Sequence, residues 1–185
     1  KPVDGLWSLT ERPGWLRLRA GIPAEGIMSA RNTLTQRTVG PKCVSEVKLD
    51  LSGLKPGDHA GICAFQSGNI AVGAEMGSGG AVDVVLRRCG RDAKDEEIYR
   101  SRLGGDALWL RLYYVFTPSE GEEADTVTAS WSEDGRDWHD CGYTLKMRFT
   151  LDLFTGYRTA LYCYPASDGG GGYADFDYFR QRVVE

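Results

Sequence analysis

Ala107-Leu108-Trp109-Leu110-Arg111-Leu112-Tyr113-Tyr114-Val115-Phe116 is followed by Thr126-Val127-Thr128-Ala129-Ser130-Trp131-Ser132 and then by Glu133-Asp134-Gly135-Arg136-Asp137. The first run is rich in aromatic residues and alternates around Leu108, Leu110 and Leu112, so it reads as a long strand. The second carries β-branched residues and reads as another. The third is a turn, because glycine after Asp accepts positive φ without steric cost. Two strands and a reversal of this kind cannot bury both of their faces alone, and the rest of the chain supplies more of the same.

Upstream, Pro13-Gly14 is a turn, and Trp15-Leu16-Arg17-Leu18-Arg19 alternates apolar and charged groups as a half-buried strand does. Residues 33–39 are rich in Thr and Val. Between Cys43 and Leu51, Val44, Glu46 and Lys48 alternate with Cys43, Ser45, Val47, Leu49 and Leu51. Residues 60–66 are almost continuously apolar, which predicts a strand covered on both sides. Ile70–Met76 and Val82–Arg87 flank Gly77-Ser78-Gly79-Gly80 as a hairpin. Residues 159–164 and 173–183 close the chain. Helix signals are confined to one short turn expected over Asp92–Arg100. The pattern predicts an all-β fold, a two-sheet antiparallel β-sandwich occupying residues 1–185 as a single module.

Composition narrows the function. The chain has 185 residues, 42% of them hydrophobic and 26% charged, which excludes disorder and fibrous classes. Net charge is −4 and no Lys/Arg cluster stands out, which argues against nucleic acid and membrane surfaces as partners. No apolar run approaches the ~18 residues of a membrane span. With two His, little metal chemistry of the His-rich kind is open. Five Cys without a CxxC spacing read as buried free thiols, which leans toward a reducing compartment such as the cytoplasm or an anaerobic source, with a secreted parent enzyme as the alternative. The chain starts on Lys1-Pro2-Val3, as a module excised from a larger protein would.

Catalysis is poorly served. A glycosidase needs two carboxyls facing each other across a cleft. Most acidic residues here, such as Asp92, Asp95, Glu96, Glu97, Glu120, Glu122 and Glu123, fall in turn-like segments and read as solvated loop charge. No GxSxG elbow is present. Asp175-Phe176-Asp177 sets two carboxylates on one side of a strand, where a structural calcium ion is conceivable but not indicated, since calcium takes six or more oxygens. A role in bonding loop backbone is the expectation for this pair, and no cofactor is expected.

Sugar recognition is better served. It pairs an aromatic face with planar polar groups, and the excess of Tyr and Trp supplies the first. Arg31, Gln36, Tyr157, Arg158 and Tyr164 fall on or beside predicted strands, with His59 and Gln66 at the two ends of the apolar 60–66 run. These seven are the candidate carbohydrate-binding residues: Arg or Gln toward hydroxyls, Tyr against a pyranose face. The concave sheet is expected to carry them.

Several segments also resemble a known family. Leu6-Trp7-Ser8-Leu9-Thr10-Glu11-Arg12-Pro13-Gly14-Trp15-Leu16-Arg17-Leu18, the run from Ala30 to Thr38, Gly57-Asp58-His59-Ala60-Gly61, Trp131-Ser132-Glu133-Asp134-Gly135-Arg136-Asp137-Trp138, Gly156-Tyr157-Arg158 and Gly172-Tyr173-Ala174-Asp175-Phe176-Asp177-Tyr178-Phe179 occur in order along the chain. Together they resemble the C-terminal β-sandwich of glycoside hydrolase family 43 β-xylosidases, and are similar to carbohydrate-binding module family 91. The resemblance implies a concanavalin-like jelly roll. It implies a catalytic five-bladed propeller elsewhere in the parent hydrolase, a sandwich loop that helps close the propeller's active site, and xylan or xylo-oligosaccharide as ligand. The expected function is non-catalytic xylan binding in support of an attached hydrolase. The alternative is an ancillary structural domain that shapes the propeller's site and binds no sugar alone.

Overall fold

The computed structural model describes residues 3–89, 95–149, 151, 155–168 and 171–184. Among them are thirteen strands and no helix. One sheet holds seven strands: β1 (Trp7–Ser8), β2 (Leu16–Arg19), β13 (Tyr173–Val184), β4 (Lys42–Asp50), β9 (Ala107–Val115), β10 (Thr126–Ser132) and β11 (His139–Lys146), in that spatial order. The other holds six: β3 (Thr33–Arg37), β12 (Arg158–Pro165), β5 (Asp58–Phe65), β6 (Asn69–Met76), β7 (Val82–Cys89) and β8 (Glu96–Arg102). Every pairing is antiparallel.

The period-2 pattern explains the core. Val47 and Leu49 of β4 and Leu108, Leu110, Leu112 and Tyr114 of β9 face Ile62 and Ala64 of β5, Val72 of β6 and Leu86 of β7. One polar staple crosses this core. Thr159 of β12 exchanges hydrogen bonds with Ser45 of β4 (2.8 Å) and with the Tyr114 hydroxyl (2.9 Å). Three buried hydroxyls thereby satisfy one another across the two sheets.

The six-stranded sheet is covered on its other face too, as the apolar run at 60–66 predicts. Cys63, Ala71, Ala160, Tyr162 and Tyr164 pack there against Ala24 and Ile27 of the segment between β2 and β3. That segment is pinned by Asn32, whose Nδ2 donates to the carbonyls of Leu6 (2.5 Å) and Arg19 (3.2 Å), and by Ala24 N–H donating to Pro165 (3.0 Å). Beneath it, Gly61 and Gly73 are cross-strand partners, and Tyr162 is the register partner of Gly61. A Cβ on Gly73 would stand 2.2 Å from the Ala60 carbonyl and 2.6 Å from the Tyr162 hydroxyl. Only glycine leaves room for the ring.

Two buried carboxylates fix the chain ends of the sheets. Asp58 accepts from the backbone N–H groups of Lys55 (2.9 Å) and Gly172 (3.0 Å), tying the start of β5 to the start of β13. Asp175 is held by Arg17 (2.7 and 2.8 Å) and Arg12 (3.0 Å), which joins β13 to β2 and to the turn before it. Asp177 takes Lys48 (3.2 Å). The Asp175–Asp177 pair therefore bonds cations and not loop backbone, because the register brings Arg17 opposite Asp175. Among the described residues no cluster of three or more metal-ligating side chains is found.

The sequence expectation fails at β8. Residues 96–102 form a strand where a short helical turn was expected over Asp92–Arg100, while Asp92, Ala93 and Lys94 lie outside the described residues. Glu96 and Glu97, expected as loop charge, sit opposite Arg88 and Arg87 of β7, and Arg102 sits opposite Asp83. Opposite charges facing each other across strands stabilise the pairing in place of an apolar pattern.

Gly73→Ala is expected to destabilise the fold by about 3 kcal/mol, since the clash is with backbone that cannot give way. Gly79→Ala, which meets nothing within 4 Å, is the control and should be near neutral. Denaturant unfolding of the two variants checks this.

Candidate functional site

The seven candidate residues do not converge on one sheet face. Arg31 is exposed in the loop before β3, and Gln36 is exposed on β3 at the sheet edge. Arg158 lies on the outer face of β12, where its guanidinium donates to Thr35 (2.9 Å). His59 and Tyr164 stack with ring centres 5.2 Å apart, also on that outer face. Gln66 and Tyr157 meet elsewhere, at the rim between the sheets. Neighbours such as Tyr157 and Arg158 point opposite ways, as the pleat requires.

The outer face of the six-stranded sheet carries a small pocket, about 210 Å³, bordered by Ala24, Glu25, His59, Arg87, Asp95 and Tyr164. Tyr164 is buried there and has no free ring face for a sugar. Glu75 is the hub of this region. It takes His59 Nδ1 (3.1 Å), Arg87 Nε (2.5 Å) and Arg100 (2.8 Å). Burial by itself would raise the Glu75 carboxyl, but hydrogen bonds from His59 and Arg87, joined by Arg100, hold it well below the usual carboxylate range. The network is saturated, and its role is to lock β5 to β8.

A second depression, about 330 Å³, lies beside Leu9, Trp15, Asp177 and Tyr178. Its aromatic platform is already engaged: the Arg12 guanidinium lies 3.7 Å over Trp15, and Lys48 lies 5.3 Å from the same ring.

A pocket of about 490 Å³ opens at the rim where β11 meets the β5–β6 turn and the end of β7. Gln66 and Tyr157 form its inner wall. Tyr157 is 3% exposed, and its hydroxyl donates to the Gly68 carbonyl (2.6 Å). Burial pushes its pKa up, so the hydroxyl stays protonated and fixed as a donor. Tyr143, Thr144, Leu145 and Lys146 of β11 supply the outer wall, with Arg88 and Arg148 at its ends. Tyr143 is half-buried, and its hydroxyl accepts from Arg88 (3.2 Å). Among the described residues no Asp or Glu lines this pocket. Two facing carboxyls, the requirement for glycoside cleavage, are not found there.

No nucleophilic thiol replaces them. Four of the cysteines are buried and Cys89 is half-buried. Burial pushes Cys89 to about 11 and Cys141 to about 12, and raises Cys63 and Cys163 as well. At neutral pH all four are protonated.

Comparison with known proteins fits this arrangement. The family described as the β-xylosidase C-terminal concanavalin A-like domain matches residues 1–182. The chain belongs to this family. It is 28% identical over 203 residues to a β-xylosidase of Formosa agariphila, covering 96% of this chain and 31% of that protein. It is 28% identical over 190 residues to a xylan 1,3-β-xylosidase of a Vibrio species, covering 97% of this chain and 34% of that one. A solved bifunctional GH43-CE protein of Bacteroides eggerthii superposes with a TM-score of 0.90 at 36% identity, over 100% of this chain and 23% of its own. The chain thus spans about a third of the curated relatives it matches. It corresponds to the C-terminal sandwich of family 43 enzymes, whose catalytic propeller is a separate domain.

The pH dependence of the domain follows from Glu75. Its carboxyl titrates below the roughly 4.3 of an unfolded Glu, so the network stabilises fully above that pH and the stabilisation is lost as pH falls through the folded value. Glu75→Gln is expected to cost about 3 kcal/mol at pH 7. The penalty should shrink below about pH 4, as melting curves of both proteins across pH will show.

Proposed function

We propose that this domain is a non-catalytic accessory module of a xylan-degrading family 43 hydrolase, and that it holds a xylan or xylo-oligosaccharide segment in the rim pocket. The observation that carries this reading is the pocket itself. It is large enough for a small ligand, in the range of roughly 300–1,000 Å³. It also combines the half-buried ring of Tyr143 with the carboxamide of Gln66 and with cationic donors. An aromatic face suits the C–H side of a pyranose, and the donors suit its hydroxyls. The absence of facing carboxyls among the described lining residues fits binding without cleavage.

Affinity is expected near millimolar, about −4 kcal/mol, because hydroxyls exchange water for partners of similar quality. In affinity electrophoresis, soluble xylan should retard the protein, and free xylo-oligosaccharide should relieve the retardation. Tyr143→Ala should weaken retardation by about fivefold or more, as losing a stacking ring does. Unchanged mobility at high xylan overturns the reading.

The structural role is favoured by one further observation. Phe149 is 60% exposed and Leu151 81% exposed, immediately after the pocket residue Arg148. Apolar side chains this exposed suit a packed partner surface. On that reading the sandwich seats against the catalytic domain at this rim. Phe149→Ser with Leu151→Ser should then reduce the ability of the added sandwich to restore activity to an isolated propeller, while xylan retardation is unchanged. Intact restoration would remove this second role.

A further inference from the structure

The rim pocket carries more positive charge than a neutral sugar needs. The chain as a whole has net charge −4, yet Arg88, Lys146 and Arg148 line one pocket. They come from β7, β11 and the segment after β11, so the cluster is made by the fold and is invisible as a sequence run. Two of the three are held by carboxylates outside the pocket. Arg88 pairs with Glu96 (2.5 Å) and Lys146 with Glu123 (2.8 Å), and the two carboxylate side chains are 55% and 70% exposed. Exposed pairs of this kind are worth at most about 1 kcal/mol and yield readily to a better partner. Arg148 makes no ion pair among the described residues.

The aromatic wall is aligned with this charge. The Arg88 guanidinium sits 5.9 Å from the Tyr143 ring centre and donates to its hydroxyl. A ring face and guanidinium forks therefore open on the same space. Hydroxyls alone gain little from cations. A planar carboxylate gains most, because the Arg fork matches its two oxygens.

We propose that the rim pocket is an acidic-sugar subsite, which takes a uronic-acid residue borne as a side group on a xylan chain. The pyranose ring packs on Tyr143, its carboxylate is taken by Arg148 and Arg88, and Gln66 and Lys146 serve the remaining oxygens. This rests on the reading that the pocket binds sugar, and it names which sugar.

Calorimetric titration of the whole chain with three probes tests it: xylotetraose, xylotetraose bearing one glucuronic acid, and the methyl ester of the latter. The acidic probe is expected to bind about tenfold tighter than the neutral one, as charge-assisted hydrogen bonds allow. The methyl ester should lose that advantage. Arg148→Gln, at an exposed position that should leave folding intact, should lower the affinity for the acidic probe far more than that for xylotetraose and so erase the preference. Raising salt from about 50 mM to about 500 mM should narrow the gap, since the pocket is open to solvent. Equal binding of all three probes overturns the uronate assignment and leaves the sugar-binding reading standing. Binding of the acidic probe that sodium sulfate displaces as well as glucuronate does would mean an unselective anion site, and also overturns it. No binding of any probe up to about 10 mM overturns both readings.

Discussion

The ring of Tyr162 rests on the paired glycines Gly61 and Gly73, with its hydroxyl 2.8 and 2.6 Å from where their Cβ atoms would stand. This contact determines which surfaces the sandwich can offer. Over the two glycines, Tyr162 packs with Ala24 and Ile27, and Cys63, Ala71 and Ala160 complete a second small core. The six-stranded sheet is then buried on both faces. Its outer side carries the ion-pair network around Glu75 and the Arg158–Thr35 hydrogen bond. The pocket of about 490 Å³ lies away from that face, at the rim, where β11 leaves a gap beside Gln66 and Tyr157.

This arrangement accounts for how the parts divide their work. The seven-stranded sheet and the inner face of its partner supply the large core of Leu, Val and Tyr. The charged side chains secure edges: Arg12 and Arg17 on Asp175, Arg87 and Arg100 on Glu75, Lys42 on Glu122. Glu122 is held down to about 2 by its hydrogen bond from Lys42 and by the Ser119 N–H, and this pair ties the loop before β10 to β4. The rim pocket is the place where cations line a cavity with their carboxylate partners turned outward.

Much of the fold was legible because most strands bury one face or two. Alternation marked β2, β4 and β9, and the apolar run marked β5. The polar strands were not legible for the same reason. β8 is Glu-Glu-Ile-Tyr-Arg-Ser-Arg and β11 is His-Asp-Cys-Gly-Tyr-Thr-Leu-Lys, and both lie at sheet edges. An edge strand has one neighbour and half its surroundings in water, so charge facing β7 decides β8 where burial would decide a central strand. The 20–32 segment was equally silent. It has no period, since it covers a sheet as a loop and repeats no contact.

The site was less legible than the fold, and the reason is register. Gln66 and Tyr157 could be chosen as polar and aromatic residues flanking apolar runs. That they share one wall, and that Tyr164 instead lies under a loop, depends on β12 pairing β5 with Tyr164 opposite His59. Tyr143, Lys146 and Arg148 went unchosen because β11 itself gave no signal. Arg88 was unremarkable on a strand already explained by its hairpin. A cluster of cations separated by some sixty residues in sequence becomes one surface only after β7 and β11, strands of different sheets, come together at the rim. Binding chemistry that is assembled across two sheets leaves no local pattern. A residue-type argument therefore reaches single side chains more readily than the surface that the fold assembles from them.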